Sequence, residues 1–177
     1  MTNQVKKLTI SGILLSVGFI LHQIMPAGIG SVTFDFLLGV LFIIIIINRD
    51  FKSALVSGIA AGIIAALTSK FPGGQIPNIL DKTITAIIIY LLIGLLNRLP
   101  NGVMLGIVGL VGTLISGTIF LGSASVLAGL PASFYALFIG VVIPTAVGNT
   151  FFTIFLHRVV VHALDKVNPS LLKQLQG

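Results

Sequence analysis

Cysteine is absent from this chain, which excludes disulfides and thiolate chemistry. Glutamate is absent as well: the four acids are Asp35, Asp50, Asp81 and Asp165. Only 8% of the 177 residues are charged, against about a quarter in a soluble domain. No Walker A pattern occurs, so the chain does not itself hydrolyse ATP by that machinery. HExxH and clustered metal ligands are missing, and His157 and His162, five apart with only Asp165 as acidic company, make a poor metal site. The turn Gly122-Ser123-Ala124-Ser125 has no nearby histidine to act as base. These absences predict no catalytic residue, no metal and no cofactor, and argue against an enzyme. The excess of basic residues, +6, is scattered singly between apolar runs rather than gathered in a stripe, which argues against a nucleic-acid partner.

What is there is apolar. Hydrophobic residues make up 56% of the chain, more than one small core can hide. Lipid is therefore the solvent for most of the surface, and the chain reads as an all-α integral membrane protein. Apolar runs of membrane length place six transmembrane helices near 8–25, 31–48, 53–69, 78–97, 102–122 and 134–158. The first is longer than the apolar core of a cleaved signal peptide and reads as a retained span. Turn chemistry separates the runs at Pro26-Ala27-Gly28, Asn48-Arg49-Asp50, Pro72-Gly73-Gly74, Pro100-Asn101-Gly102 and Gly129-Leu130-Pro131. Residues 1–177 thus form a single six-helix domain, with 159–177 as a tail. Leu171, Leu172 and Leu175 at helical spacing suit either an amphipathic surface segment or an ordinary frayed end.

Orientation follows from the ten basic residues. With both termini cytoplasmic, Lys6, Lys7, Arg49, Lys52, Arg98, Arg158, Lys166 and Lys173 lie inside, and only Lys70 and Lys82 lie outside. That bias predicts N-in, C-in.

Both exceptions fall in one corner, KFPGGQIPNILDK, Lys70 to Lys82. Asn78, Asp81, Lys82 and Thr85 stand at i, i+3, i+4 and i+7, one polar stripe on the first turns of an otherwise apolar helix. A charge facing lipid costs about 2.5–3.5 kcal/mol near the bilayer centre, which favours a stripe turned inward. Two readings remain open. Asn78 and Asp81 cap the helix while Lys82 snorkels to the headgroups, or the stripe forms an outward-open pocket with Asp35, Lys70 and Gln75. In the second reading Asp takes a substrate's amine and Lys its carboxylate, and Gly73 and Gly74 let the loop approach the ligand. His22, closing the first span, is a further candidate. Phe34, Phe36, Phe71, Phe120, Phe134, Tyr135 and Phe138 crowd the same side, as an interfacial belt or as pocket walls. Small residues line the third and fifth spans, suiting close helix packing, and Pro144 predicts a kink in the sixth. Asn149 reads as an interhelical hydrogen bond rather than a ligand contact.

In span count, size and outer pocket the chain resembles the S components of energy-coupling factor transporters. Within that group, FPGGQIPNILDK (Phe71–Lys82) and LHQIMP (Leu21–Pro26) resemble the bacterial tryptophan-transport proteins of the TrpP type. The resemblance implies an S-component-like bundle in the cell membrane that captures L-tryptophan from outside. It also implies a transmembrane coupling protein and two cytoplasmic ATPases as partners, docking on a face that here reads Gly12-x3-Ser16. The expected substrate contacts are Pro72, Gly73, Gly74, Gln75, Asn78, Asp81, Lys82 and Thr85, with Asp35 and His22 beside them. The competing readings are an S component for another ring-containing micronutrient, such as a vitamin, and a non-transporting membrane assembly protein.

Overall fold

The computed structural model describes residues 3–24 and 35–167, all of them helix and turn. The turn at Pro26-Ala27-Gly28, Phe34 and the leucines of the tail lie outside the described residues. Helices α1 (Asn3–Ile24), α2 (Phe36–Asn48), α3 (Phe51–Leu67), α4 (Gln75–Leu95) and α5 (Asn101–Leu127) each make one passage. The sixth passage is composite: α6 (Phe134–Leu137), a π-helical turn (Phe138–Val142) and α7 (Ile143–Val167) run on without a break. Four of these six passages are long and apolar enough to cross a membrane, and α2 and α3 are shorter apolar helices.

The bundle is built around α2. Its run FLLGVLFIIIIIN is apolar all round, and such a helix needs neighbours on every side. Every residue from Leu37 to Asn48 is buried. With 13 residues, α2 extends about 20 Å, short of a hydrocarbon core of about 30 Å. It is the axle of the bundle, enclosed by α1, α3, α4, α5 and α7.

Lipid tails are as apolar as leucine, so close packing rather than solvent exclusion joins helices in the bilayer. The small residues supply that closeness. A Cβ on Gly62 of α3 would sit 2.9 Å from the Ile79 Cα of α4. One on Gly109 of α5 would sit 2.7 Å from the Thr150 Cα of α7. Polar ties close the ends. Asn48 Nδ2 donates to Ser11 Oγ at 3.0 Å and Ser53 Oγ at 2.7 Å, fastening α1, α2 and α3 at one end. At the other end Asn149 Nδ2 donates to the Asp35 carbonyl at 3.0 Å and Thr113 Oγ1 at 3.2 Å, joining α7 to α2 and α5. Asn149 is thus an interhelical clasp.

The kink expected at Pro144 takes the form of the π turn just before it. The Ile143 N–H donates to the Phe138 carbonyl, five residues back, and Pro144 next to it has no N–H to give.

Candidate functional site

The end of the bundle where α1 and α3 finish and α2 and α4 begin holds a cluster of ionisable groups. Helix α4 starts at Gln75, three residues before Asn78, with Gly74 as N-cap and no side-chain cap. Pro77 sits in the first turn, where a missing N–H is harmless. Asn78 therefore lies inside the helix rather than capping it, and its Nδ2 donates to the Gly74 carbonyl at 2.8 Å. One turn on, Asp81 and Lys82 are each 1% exposed, so Lys82 does not snorkel.

Lys82 lies between two carboxylates. Its Nζ pairs with Asp81 Oδ2 on its own helix and with Asp35 Oδ2, 2.5 Å away, at the N-cap of α2. Each carboxylate is held from behind. Thr85 Oγ1 donates to Asp81 Oδ1 at 3.0 Å, and the Leu38 N–H donates to Asp35 Oδ1 at 3.0 Å. A capping aspartate is ordinary at a helix start, where it faces the positive end of the dipole. Here the same carboxylate also reaches across to a second helix. His22, 6% exposed on α1, brings Nδ1 to 3.9 Å from Asp35 Oδ1.

These groups line a cavity of about 70 Å³. His22, Asp35, Asn78, Asp81 and Lys82 form its polar wall, with Ser69, Lys70 and Phe71 from the α3–α4 loop. The facing wall comes from α5 and the sixth passage: Thr113, Ser116, Gly117, Phe120 and Leu121, then Val141, Val142 and Thr145. Phe71, 4% exposed, meets Phe120 edge-on at 5.5 Å between ring centres. Of the aromatics on this side, these two enter the cavity wall, whereas Tyr135 is 78% exposed and suits the interface.

Thr85 lies beneath the cavity floor, fully buried and bonded to Asp81. Pro72, Gly73, Gly74 and Gln75 are not in the lining. The loop buries Phe71 and turns its glycines to structural work. Gly73 has φ +74°, a left-handed conformation that suits glycine, and a Cβ there would lie 2.7 Å from the Ala128 Cβ at the end of α5. Lys70, exposed at the rim, donates to the Gln23 carbonyl of α1 at 3.4 Å.

Of the wall from α5 and α7, only Phe120 was a candidate pocket wall from sequence. Thr113, Ser116, Gly117 and Phe120 stand at i, i+3, i+4 and i+7, on one face of an apolar helix. Thr145 stands alone on α7. Two cavity atoms, His22 Nδ1 and Thr145 Oγ1, are buried without a hydrogen-bond partner among the described residues. The described residues hold no group of three potential metal ligands.

Comparison with known proteins gives a consistent family. The family model described as Tryptophan transporter TrpP matches residues 4–165. A probable tryptophan transport protein of Clostridium perfringens is 45% identical over 176 residues, covering 94% of this chain and 97% of that one. A probable tryptophan transport protein of Clostridium acetobutylicum is 43% identical over 150 residues, 84% of this chain and 88% of its own. A third, from Bacillus subtilis, is 39% identical over 155 residues, 88% and 90% of the two chains. No solved structure matches.

Proposed function

This chain belongs to the tryptophan transporter TrpP family, and we propose that it carries L-tryptophan across the membrane by way of the Asp35–Lys82–Asp81 cavity. The observation that supports this reading is a fully buried ammonium held between two carboxylates beside a hollow with an apolar far wall. Buried ions in a membrane protein face the interior and mark substrate or ion paths. The amino-acid head of tryptophan meets the charged wall, and the indole lies toward Phe71, Phe120, Leu121 and Val142. Lys82 is already paired twice, so the substrate carboxylate is better met by Lys70 at the rim, and the ammonium by Asp35 and Asp81.

Small-molecule sites enclose about 300–1,000 Å³, several times the 70 Å³ found here. Capture therefore widens the site. The contacts that hold the end of α1 to the charged wall are long, 3.4 Å for Lys70 to Gln23 and 3.9 Å for His22 to Asp35. Across the bundle, α3 and α4 touch backbone to backbone, so α1 is the wall that yields.

The basic residues support a cavity facing outward with both termini in the cytoplasm. Energy would come from a coupling protein and two cytoplasmic ATPases, with transport rather than catalysis as the whole activity. Uptake of labelled tryptophan by cells with and without a coupling protein tests that dependence. Binding itself is directly readable. The chain contains no tryptophan, so indole emission in a preparation of purified protein comes from the ligand alone. Saturable binding of L-tryptophan is expected, and its loss is expected in Asp81→Asn folded to wild-type helicity. Wild-type affinity in that variant would remove Asp81 from the site.

A further inference from the structure

The cavity is unbalanced in charge and in hydrogen-bonding groups. With both carboxylates ionised and His22 neutral, Asp35 and Asp81 set two negative charges against the one positive charge of Lys82, so the cluster carries −1. An unpaired charge kept out of water is unfavourable by several kcal/mol, so the cluster is built to receive a cation. Its unpartnered atoms agree. His22 Nδ1 and Thr145 Oγ1, on residues 6% and 4% exposed, both line the cavity without a hydrogen-bond partner among the described residues, and the threonine oxygen can accept a hydrogen bond. An ammonium is a donor without acceptor capacity, the complement of such a wall.

No comparable excess of positive charge awaits a carboxylate. Among the described residues the cavity's cations are Lys82, engaged by both aspartates, and Lys70, exposed at the rim. The segment 25–34, MPAGIGSVTF, contains no Lys, Arg or His. The two ends of an amino-acid head thus meet unequal reception, the ammonium in the enclosed wall and the carboxylate at the exposed rim beside Lys70.

We propose that the site selects ligands by their ammonium group, so that its ligand class is indole-bearing alkylamines, tryptamine as well as tryptophan. This rests on the proposed tryptophan cavity and extends it. An exposed ion pair such as Lys70 with a carboxylate contributes about a one- to fivefold effect on affinity. Stripping the partner from a buried carboxylate weakens binding by about 30-fold or more.

The test is competition against labelled L-tryptophan on the purified full chain near neutral pH, with tryptamine and indole-3-propionate as probes. Tryptamine is expected to compete within about fivefold of tryptophan itself, and indole-3-propionate at least about 30-fold more weakly. Lys70→Met, at an exposed position outside the core, is expected to weaken tryptophan by up to about fivefold relative to tryptamine. Asp35→Asn is expected to weaken both. Saturable tryptophan binding that tryptamine fails to displace overturns the ammonium rule and leaves the transport reading standing. Indole-3-propionate competing as well as tryptamine overturns it too. If tryptophan itself does not bind, the transport reading fails first.

Discussion

Replacing Lys82 by methionine keeps most of the side-chain volume and removes the one positive charge in the enclosed cluster. Two carboxylates would then face each other at the start of α2 and the second turn of α4, one of them 1% exposed and the other 19%. Removing one partner of a buried ion pair destabilises by about 3–5 kcal/mol, because the remaining charge is left uncompensated. For a chain of 150–250 residues each kcal/mol moves the melting midpoint by about 2–4 °C, giving an expected fall of about 6–20 °C. Thermal unfolding in detergent, followed by helical circular dichroism, reads it. Adding Asp81→Asn to Lys82→Met leaves one unpaired carboxylate in place of two and should recover a large part of the loss. Adding Asp35→Asn as well leaves none and should recover most of the rest. A Lys82→Met midpoint within about 2 °C of wild type, equivalent to less than about one kcal/mol, would refute the buried triad.

Two further predictions separate packing from polar positioning. Gly58→Ala would put a Cβ 2.5 Å from the Ala86 Cβ and 3.1 Å from the Lys82 carbonyl, so overpacking of about 1–3 kcal/mol is expected in the same melt, along with weaker tryptophan binding. Gly106→Ala, with nothing within 4 Å, is the control and should change neither. Asn149→Leu removes the donor to the Asp35 carbonyl and to Thr113 Oγ1. A loss of about 0.6–1.7 kcal/mol, typical of one interhelical hydrogen bond in a membrane protein, should accompany weaker binding, and unchanged stability would show the clasp to be idle.

Helix α4 carries its share of the candidate site on one face. The spacing of Asn78, Asp81, Lys82 and Thr85 is visible in one dimension because four polar residues at helical intervals stand out against IIIYLLI. The convergence of Asp35 and His22 was legible at one remove, since alternating passages bring the end of α1 and the start of α2 to the same side as α4. Two things were not legible. One is the direction of a loop: Pro72-Gly73-Gly74 reads as a flexible approach to a ligand, yet its geometry is set by where Phe71 finds a buried slot against Phe120. The other is the far wall. Thr113, Ser116 and Thr145 are single small polar residues on apolar helices, and such residues bond to backbone carbonyls as readily as to ligands. Only their common orientation toward one hollow distinguishes them, and that is a property of the assembled bundle. The π turn is similar, since Pro144 announces a disturbance of the helix without saying that the extra residue is taken up at Phe138–Val142.

The triad poses a choice between fold and ligand that energetics decides. Well-packed hydrophobic residues of similar volume often serve as well as a buried ion pair, or better. A bundle already joined by close contact at Gly58 and Gly62 has other means than charge to hold α4 against α3. Two carboxylates around one ammonium are worse still as glue, because one negative charge has no full positive partner and leans on the start of α2 alone. A further cation would balance the numbers, and His22 Nδ1 and Thr145 Oγ1, without a hydrogen-bond partner among the described residues, line the cavity where it would arrive. On the proposed reading, the imbalance that makes this corner a poor structural device suits it to receive a cation.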